Sequence, residues 1–100
     1  MKNERQDEYV EIPIDGVLDL HAFRPAEAAD LVRAYLQECR RRGVLRGRII
    51  HGKGTGALRN TVHKTLESIP CVAGFRLGDE TSGSWGATLF ELKEEERPST

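Results

Sequence analysis

The sequence predicts an α/β fold, a two-layer sandwich with a mixed four-stranded sheet, and three observations carry that expectation. Two segments repeat apolar residues at helical spacing: Ala28, Val32, Tyr35, Leu36 and Cys39 in the first, and Leu58, Val62, Leu66 and then Ile69 in the second. Short runs with strand periodicity or β-branched content stand around them at 17–21, 48–51, 71–77 and 87–92. The order is therefore strand, helix, strand, helix, strand, strand, with a long hairpin joining the last two strands. A chain of 100 residues, 38% hydrophobic and 31% charged, suits one domain with one modest core. We place that domain at residues 17–93, after an N-terminal extension at 1–16 and before a flexible acidic tail at 94–100.

Within the extension, residues 9–14 read as extended, and Pro13 confines them to a sheet edge or to a segment lying across the core. Asp15-Gly16 is a turn. In the first principal strand Leu18 and Leu20 point to one face, Asp19 and His21 to the other. A carboxylate and an imidazole two residues apart on one face can orient a His tautomer, bind a divalent cation or move protons. They are equally the ordinary polar end of a strand meeting solvent.

Pro25 suits the first helical position and Gly43 the stop. The last turn carries Arg40, Arg41 and Arg42, which complement the helix dipole. Together with Arg46 and Arg48 they exceed what a cap needs and form a candidate flank of a nucleic-acid track. The second helix is expected from about Ala57 to Ser68, with Arg59 in its first turn, and His63 is expected as a surface histidine. Pro70 stops it. In the run 71–77, Ala73, Phe75 and Leu77 share a face, and a polar loop follows that contains Trp85, the only tryptophan. Trp85 either stacks on a base or covers the core edge.

Charge is segregated along the chain. Residues 21–76 hold eleven Lys/Arg against four Asp/Glu, while the remainder holds four against twelve. A basic centre suits a polyanionic partner, because cations gain affinity by releasing counterions from phosphates. No apolar run approaches a membrane span and the N-terminal residues lack a signal-peptide core, so a cytoplasmic protein with no membrane partner is expected. Cys39 and Cys71 show no zinc-ligand spacing and read as reduced packing residues.

The central stretch is His51-Gly52-Lys53-Gly54-Thr55-Gly56, between the end of a strand and the start of a helix. Backbone N–H groups of such a turn and of the first helical turn converge on an anion, and the helix dipole adds favourable potential. Lys53 supplies a mobile cation, and glycines at 52, 54 and 56 allow positive φ and leave no Cβ between backbone and phosphate. A sharp turn without a ligand is the plain alternative. Gly47 to Lys53 also matches the start of a Walker A loop, but Gly54 stands where Ser or Thr belongs and Gly47 precedes the strand, so a nucleotide-wrapping loop is excluded. A cation at Arg59 opposes the helix dipole, which a bound anion would offset.

Three ordered motifs, Leu18-Asp19-Leu20-His21, His51 through Arg59, and Gly83-Ser84-Trp85-Gly86-Ala87-Thr88, together resemble the Smr (small MutS-related) domain, whose pattern is LDLHG, HGxGxGxLR and GGxGAT. The resemblance covers roughly residues 17–93. It implies a βαβαββ sandwich similar to the C-terminal domain of translation initiation factor three, and an activity among DNA-nicking and RNA-cleaving endonucleases. Carried over by position, the acidic and His residues of the first motif fall on Asp19 and His21, and the loop falls on His51 through Gly56 with Arg59 beyond it. Ala22 stands where the family usually has Gly, and Ser84 replaces the second Gly of the last motif. These departures bear on substrate choice more than on chemistry.

The expected function is therefore hydrolysis of phosphodiester bonds in DNA or RNA. Asp19, His21 and His51 are the candidate catalytic residues, and Gly52, Lys53, Gly54, Thr55, Gly56, Arg59 and Trp85 the candidate phosphate and nucleic-acid contacts. The sequence lacks the carboxylate cluster of a two-metal nuclease, so any metal is a single weakly held Mg²⁺ or Mn²⁺ with Asp19 as the candidate ligand. The alternative is a non-catalytic DNA- or RNA-binding module using the same loop, and a larger nucleic-acid-processing complex is a candidate partner. A hydrolase of a small phosphorylated metabolite explains the broad basic centre less well.

Overall fold

A computed structural model describes residues 12–78 and 86–95. The elements are β1 (Val17–Asp19), α1 (Pro25–Arg41), β2 (Arg46–Ile50), α2 (Ala57–Glu67), β3 (Val72–Leu77) and β4 (Ala87–Leu92). The sheet order is β1-β2-β4-β3, with β1 parallel to β2 and β4 antiparallel to both its neighbours. The mixed four-stranded sheet of the expected βαβαββ order is thus present. β4 enters between β2 and β3, so the last strand occupies the middle of the sheet.

Apolar periodicity explains the layering. In α1, Ala28, Val32, Tyr35, Leu36 and Cys39 are all buried, as the helical stripe requires. In α2 the buried residues are Val62, Thr65 and Leu66. They meet Leu18, Leu20, Ile49, Phe90 and Leu92 from the sheet to form one core. The Tyr35 hydroxyl accepts the Gly16 N–H at 2.9 Å, which ties α1 to the entry of β1; burial pushes the phenol up to about 12. Gly47 lies inside β2 and not before it. A methyl there would collide with the Gly16 carbonyl and stand 2.7 Å from Phe90 Cζ, so close backbone approach explains this glycine.

Of the two placements expected for the extended segment, residues 12–14 take the one across the core, with Ile12 and Ile14 half-buried against it and no strand formed. Other expectations are corrected. The alternation expected for Ala73, Phe75 and Leu77 breaks at a register shift between Val72 and Gly74, which leaves Ala73 exposed and half-buries Phe75 opposite Phe90. Of the five arginines expected to flank a nucleic-acid track, Arg40, Arg41 and Arg42 lie away from the central loop, while Arg48 is in β2, two residues before its end. α1 begins at Pro25, beside that loop, and its 17 residues carry Arg40 and Arg41 about 25 Å away to the opposite pole. There Arg41 and Arg42 pair with Glu38 at 2.9 and 3.3 Å, Arg46 pairs with Glu91, and Arg40 donates to the carbonyls of Lys93 and Glu94. Residues 1–11, the loop tip with Gly83, Ser84 and Trp85, and residues 96–100 lie outside the described residues.

Candidate phosphate-binding and catalytic site

The site is assembled at the C-terminal ends of β1 and β2. Asp19 is in register with Ile50, and the Leu20 N–H donates to the Ile50 carbonyl at 2.8 Å, so the first motif ends where the loop begins. Open α/β sheets bind ligands at this end of parallel strands. β4 braces the loop from the other side: the Gly86 carbonyl accepts N–H groups from both His51 and Gly52, at 2.9 and 2.8 Å.

Gly52 and Gly56 take positive φ values of 81° and 93°, which explains two of the three alternating glycines by backbone conformation. Gly54 is different. It does not share their positive φ, and a methyl there would meet nothing within 4 Å. A side chain there would face only what approaches from outside. Gly56 precedes α2 in the left-handed region; Thr55 Oγ1 accepts the Ala57 N–H at 3.3 Å, and no acid lies in the first turn. The Arg59 guanidinium folds back over Gly56, since a Cβ on Gly56 would stand 2.8 Å from Arg59 Nη2. The result is an open depression of about 220 Å³ walled by Pro25, His51, the loop glycines and Arg59. It offers the N–H groups of the first helical turn beyond Ala57 and a cation, with Lys53 and Thr55 exposed at its rim.

Asp19 and His21 form a second constellation beside it. Asp19 Oδ1 accepts the His21 backbone N–H at 3.0 Å and the ring Nδ1 at 2.7 Å. These two donors, the backbone one foremost, hold the Asp19 carboxyl below the usual carboxylate value. An ionised carboxylate can only accept, so Nδ1 carries the proton and Nε2 is turned outward. The His21 side chain is 73% exposed, so that nitrogen is open to a ligand.

A third constellation, the pair His51 and His63, was only half legible in the sequence. His51 is 4% exposed, with Nδ1 3.0 Å from the Gly52 carbonyl and Nε2 2.8 Å from Thr88 Oγ1. It therefore sits beneath the loop and not at its surface. His63, expected at the surface, instead turns inward, with Nε2 2.8 Å from the same Thr88 hydroxyl and its ring against Phe75. Burial lowers both imidazoles below the ordinary value, Gly52 opposing the shift at His51, and Arg59 adds to it at each. A signal for this cluster was available: Thr88 falls on the buried face of β4 with Phe90 and Leu92, and a buried hydroxyl needs a partner.

No group of three or more His, Cys, Asp or Glu positioned to hold a metal occurs among the described residues. Asp19 and His21 together supply at most two donors, a set that fits a largely hydrated Mg²⁺ or Mn²⁺ and not an all-protein cage. No helix among the described residues is long and apolar enough to cross a membrane.

The comparisons agree with this architecture. The family model described as Smr domain matches residues 18–93. Endonuclease MutS2 of Halothermothrix orenii is 40% identical over 80 residues, and that of Ruminiclostridium cellulolyticum 42% over 76; these regions are 80% and 76% of this chain but only 10% of each relative. The chain thus spans about a tenth of the length of these curated relatives. The crystal structure of the Smr domain of Thermus thermophilus MutS2 superimposes with a TM-score of 0.73 at 35% identity, covering 77% of this chain and 96% of that domain. YdaL, a stand-alone small MutS-related protein from Escherichia coli, shares the fold with a TM-score of 0.75 at 22% identity, covering 94% of this chain and 78% of its own. With the family model matched from Leu18 to Lys93, across every strand and both helices, the chain belongs to the Smr domain family.

Proposed function

We propose that this protein is a nucleic-acid endonuclease that hydrolyses phosphodiester bonds at the junction of β1 and β2. The observation that carries this reading is the Leu20 to Ile50 hydrogen bond, which sets an oriented imidazole–carboxylate pair beside a glycine-lined helix N-terminus. The names of the MutS2 relatives, endonucleases of which this chain corresponds to about a tenth, support the same class.

In this mechanism the N–H groups of the loop and of the first turn of α2, with Lys53 and Arg59, hold the scissile phosphate and offset the charge that grows on its oxygens. His21, oriented by Asp19 through Nδ1, presents Nε2 outward. As a neutral base it takes a proton from the attacking water while the new oxygen–phosphorus bond forms. The bond to the leaving oxygen breaks, and that oxygen takes its proton from solvent or from the imidazolium. Asp19 is also the residue that would hold a hydrated Mg²⁺ or Mn²⁺, which would neutralise phosphate charge. His51 enters as a positioning group, since both its ring nitrogens are engaged inside the protein.

The test is cleavage of supercoiled plasmid and of labelled single-stranded and structured RNA, with EDTA, Mg²⁺ or Mn²⁺, comparing wild type with an Asp19→Ala/His21→Ala variant. Cleavage confined to wild type is expected and identifies the substrate and metal need. Equal cleavage by the double variant sinks the assignment. Binding by both without cleavage supports a non-catalytic nucleic-acid module, a reading that the solvent-exposed loop would serve equally well.

A further inference from the structure

Beneath the loop, His51, Thr88 and His63 form one hydrogen-bonded chain whose direction is set by the valence of its members. A carbonyl oxygen only accepts, so the 3.0 Å contact between His51 Nδ1 and the Gly52 carbonyl requires the proton on Nδ1. In the neutral ring Nε2 is then bare and accepts from the Thr88 hydroxyl at 2.8 Å. That hydroxyl has one proton and has spent it. The 2.8 Å contact from Thr88 Oγ1 to His63 Nε2 must therefore be donated by His63, whose Nε2 carries its proton. The two neutral histidines hold opposite tautomers, and Thr88 couples them.

We propose that Thr88, supported by His63, is a positioning residue that sets the direction of the Lys53 amide by fixing the tautomer of His51. In a trans peptide the carbonyl and the following N–H point opposite ways, and no cis peptide occurs among the described residues. With the Gly52 carbonyl held against the His51 ring, the Lys53 N–H points away from that ring, out of the protein. The other His51 tautomer would set a bare Nδ1 against the carbonyl oxygen, two acceptors in contact. Relief would come from turning the 52–53 peptide over, which glycine at 52 permits and which would present an oxygen to an incoming anion. Thr88 disfavours that state by supplying the proton that His51 Nε2 accepts. Among the described residues no carboxylate acts to reverse this at His51: Arg59 opposes a charge on both rings, Glu67 acts only on His63, and Phe75 covers the His63 ring.

This inference rests on the phosphate-site reading of the loop, so its primary test needs no ligand. Imidazole ¹⁵N correlation spectra of the full chain at about pH 8, above the ordinary imidazole value, are expected to show His51 protonated at Nδ1 and His63 at Nε2. A His51 protonated at Nε2, or two averaged nitrogens, overturns the proposal, and this result is available even if every variant fails to fold. In Thr88→Val, the His51 nitrogens should move toward averaging and the Gly52 carbonyl and Lys53 amide signals should shift, with Thr88→Ser restoring both. Unchanged signals in a folded Thr88→Val also overturn it. Affinity for a short oligonucleotide should fall several-fold in Thr88→Val and recover in Thr88→Ser. A wild type with the expected tautomers that binds no oligonucleotide would overturn the phosphate reading alone.

Discussion

Asp19 and His21 share a single oxygen: Asp19 Oδ1 receives both the backbone N–H and the ring Nδ1 of His21, two residues on along the chain. The pair closes on itself, so its geometry does not depend on the remainder of the site. Its position does, because the Leu20 N–H between the two residues is fixed to Ile50. In Asp19→Asn the side-chain oxygen can still accept a hydrogen bond, but the anion that favours Nδ1–H and offsets a developing imidazolium is gone. Single-turnover cleavage should slow by roughly 10²–10⁴-fold with substrate affinity nearly unchanged. An Asn variant that cleaves at the wild-type rate would remove this residue from the mechanism.

The glycines of the loop separate folding from binding. Gly56→Ala places a side chain at φ 93° and 2.8 Å from the Arg59 guanidinium, so it should destabilise the domain by about 1 kcal/mol or more. Gly54→Ala meets nothing within 4 Å, and its stability should stay within about 0.5 kcal/mol of wild type. Its methyl group nevertheless points into space that a phosphate would use, and oligonucleotide affinity should drop. Denaturant melts beside binding isotherms check both; a Gly54→Ala protein that binds as wild type would show that the loop holds its anion elsewhere.

The contrast among these glycines marks how far the sequence could be read. The helices were legible because one apolar stripe on each is wide enough to admit a single orientation, and all five residues named for α1 are buried. The junction of Asp19, His21 and the loop was legible because parallel neighbours bring their C-terminal ends together. The place of β4 in mid-sheet was not, since pairing partners leave no periodicity in a six-residue strand. Nor was the inward turn of His63. It neighbours Val62 on the flank of α2 that faces β4, and only the buried hydroxyl of Thr88 completes it. The distance of Arg40, Arg41 and Arg42 from the loop was not legible either, because nearness along the chain to β2 says nothing of distance along a helix that carries them to the opposite pole.

That displacement separates two sets of cations. Lys53→Ala and Arg59→Ala should each weaken oligonucleotide binding and each lower the slope of log affinity against log salt by about one, the value for a single lost phosphate contact. Arg41→Ala and Arg42→Ala, whose guanidiniums lie against Glu38 at the far end of α1, should leave affinity and slope unchanged. Titrations over a salt series decide this, and equal loss at both poles would require a track running the full length of the domain.

Acid should loosen the domain from beneath the loop before it reaches the carboxylates. Burial lowers His51 and His63 below the ordinary imidazole value of 6.5, so the folded state binds fewer protons than the unfolded chain once pH falls beneath that value. Stability from these groups is fully present above about pH 6.5 and is lost progressively as pH drops toward their folded values. Asp19 and Glu38 are shifted downward as well, but for a carboxylate the stability is present above its ordinary value near 4 and is lost only on further acidification. The window from about pH 6.5 to 5 therefore isolates the histidines. Chemical denaturation across it should show wild-type stability falling, and falling less steeply in His63→Gln, which keeps a hydrogen-bonding side chain at that position and cannot take up the proton. A wild-type stability that stays flat across this window would mean that neither ring is held neutral by its surroundings, and the Thr88 chain would then have to be satisfied by charged imidazoles.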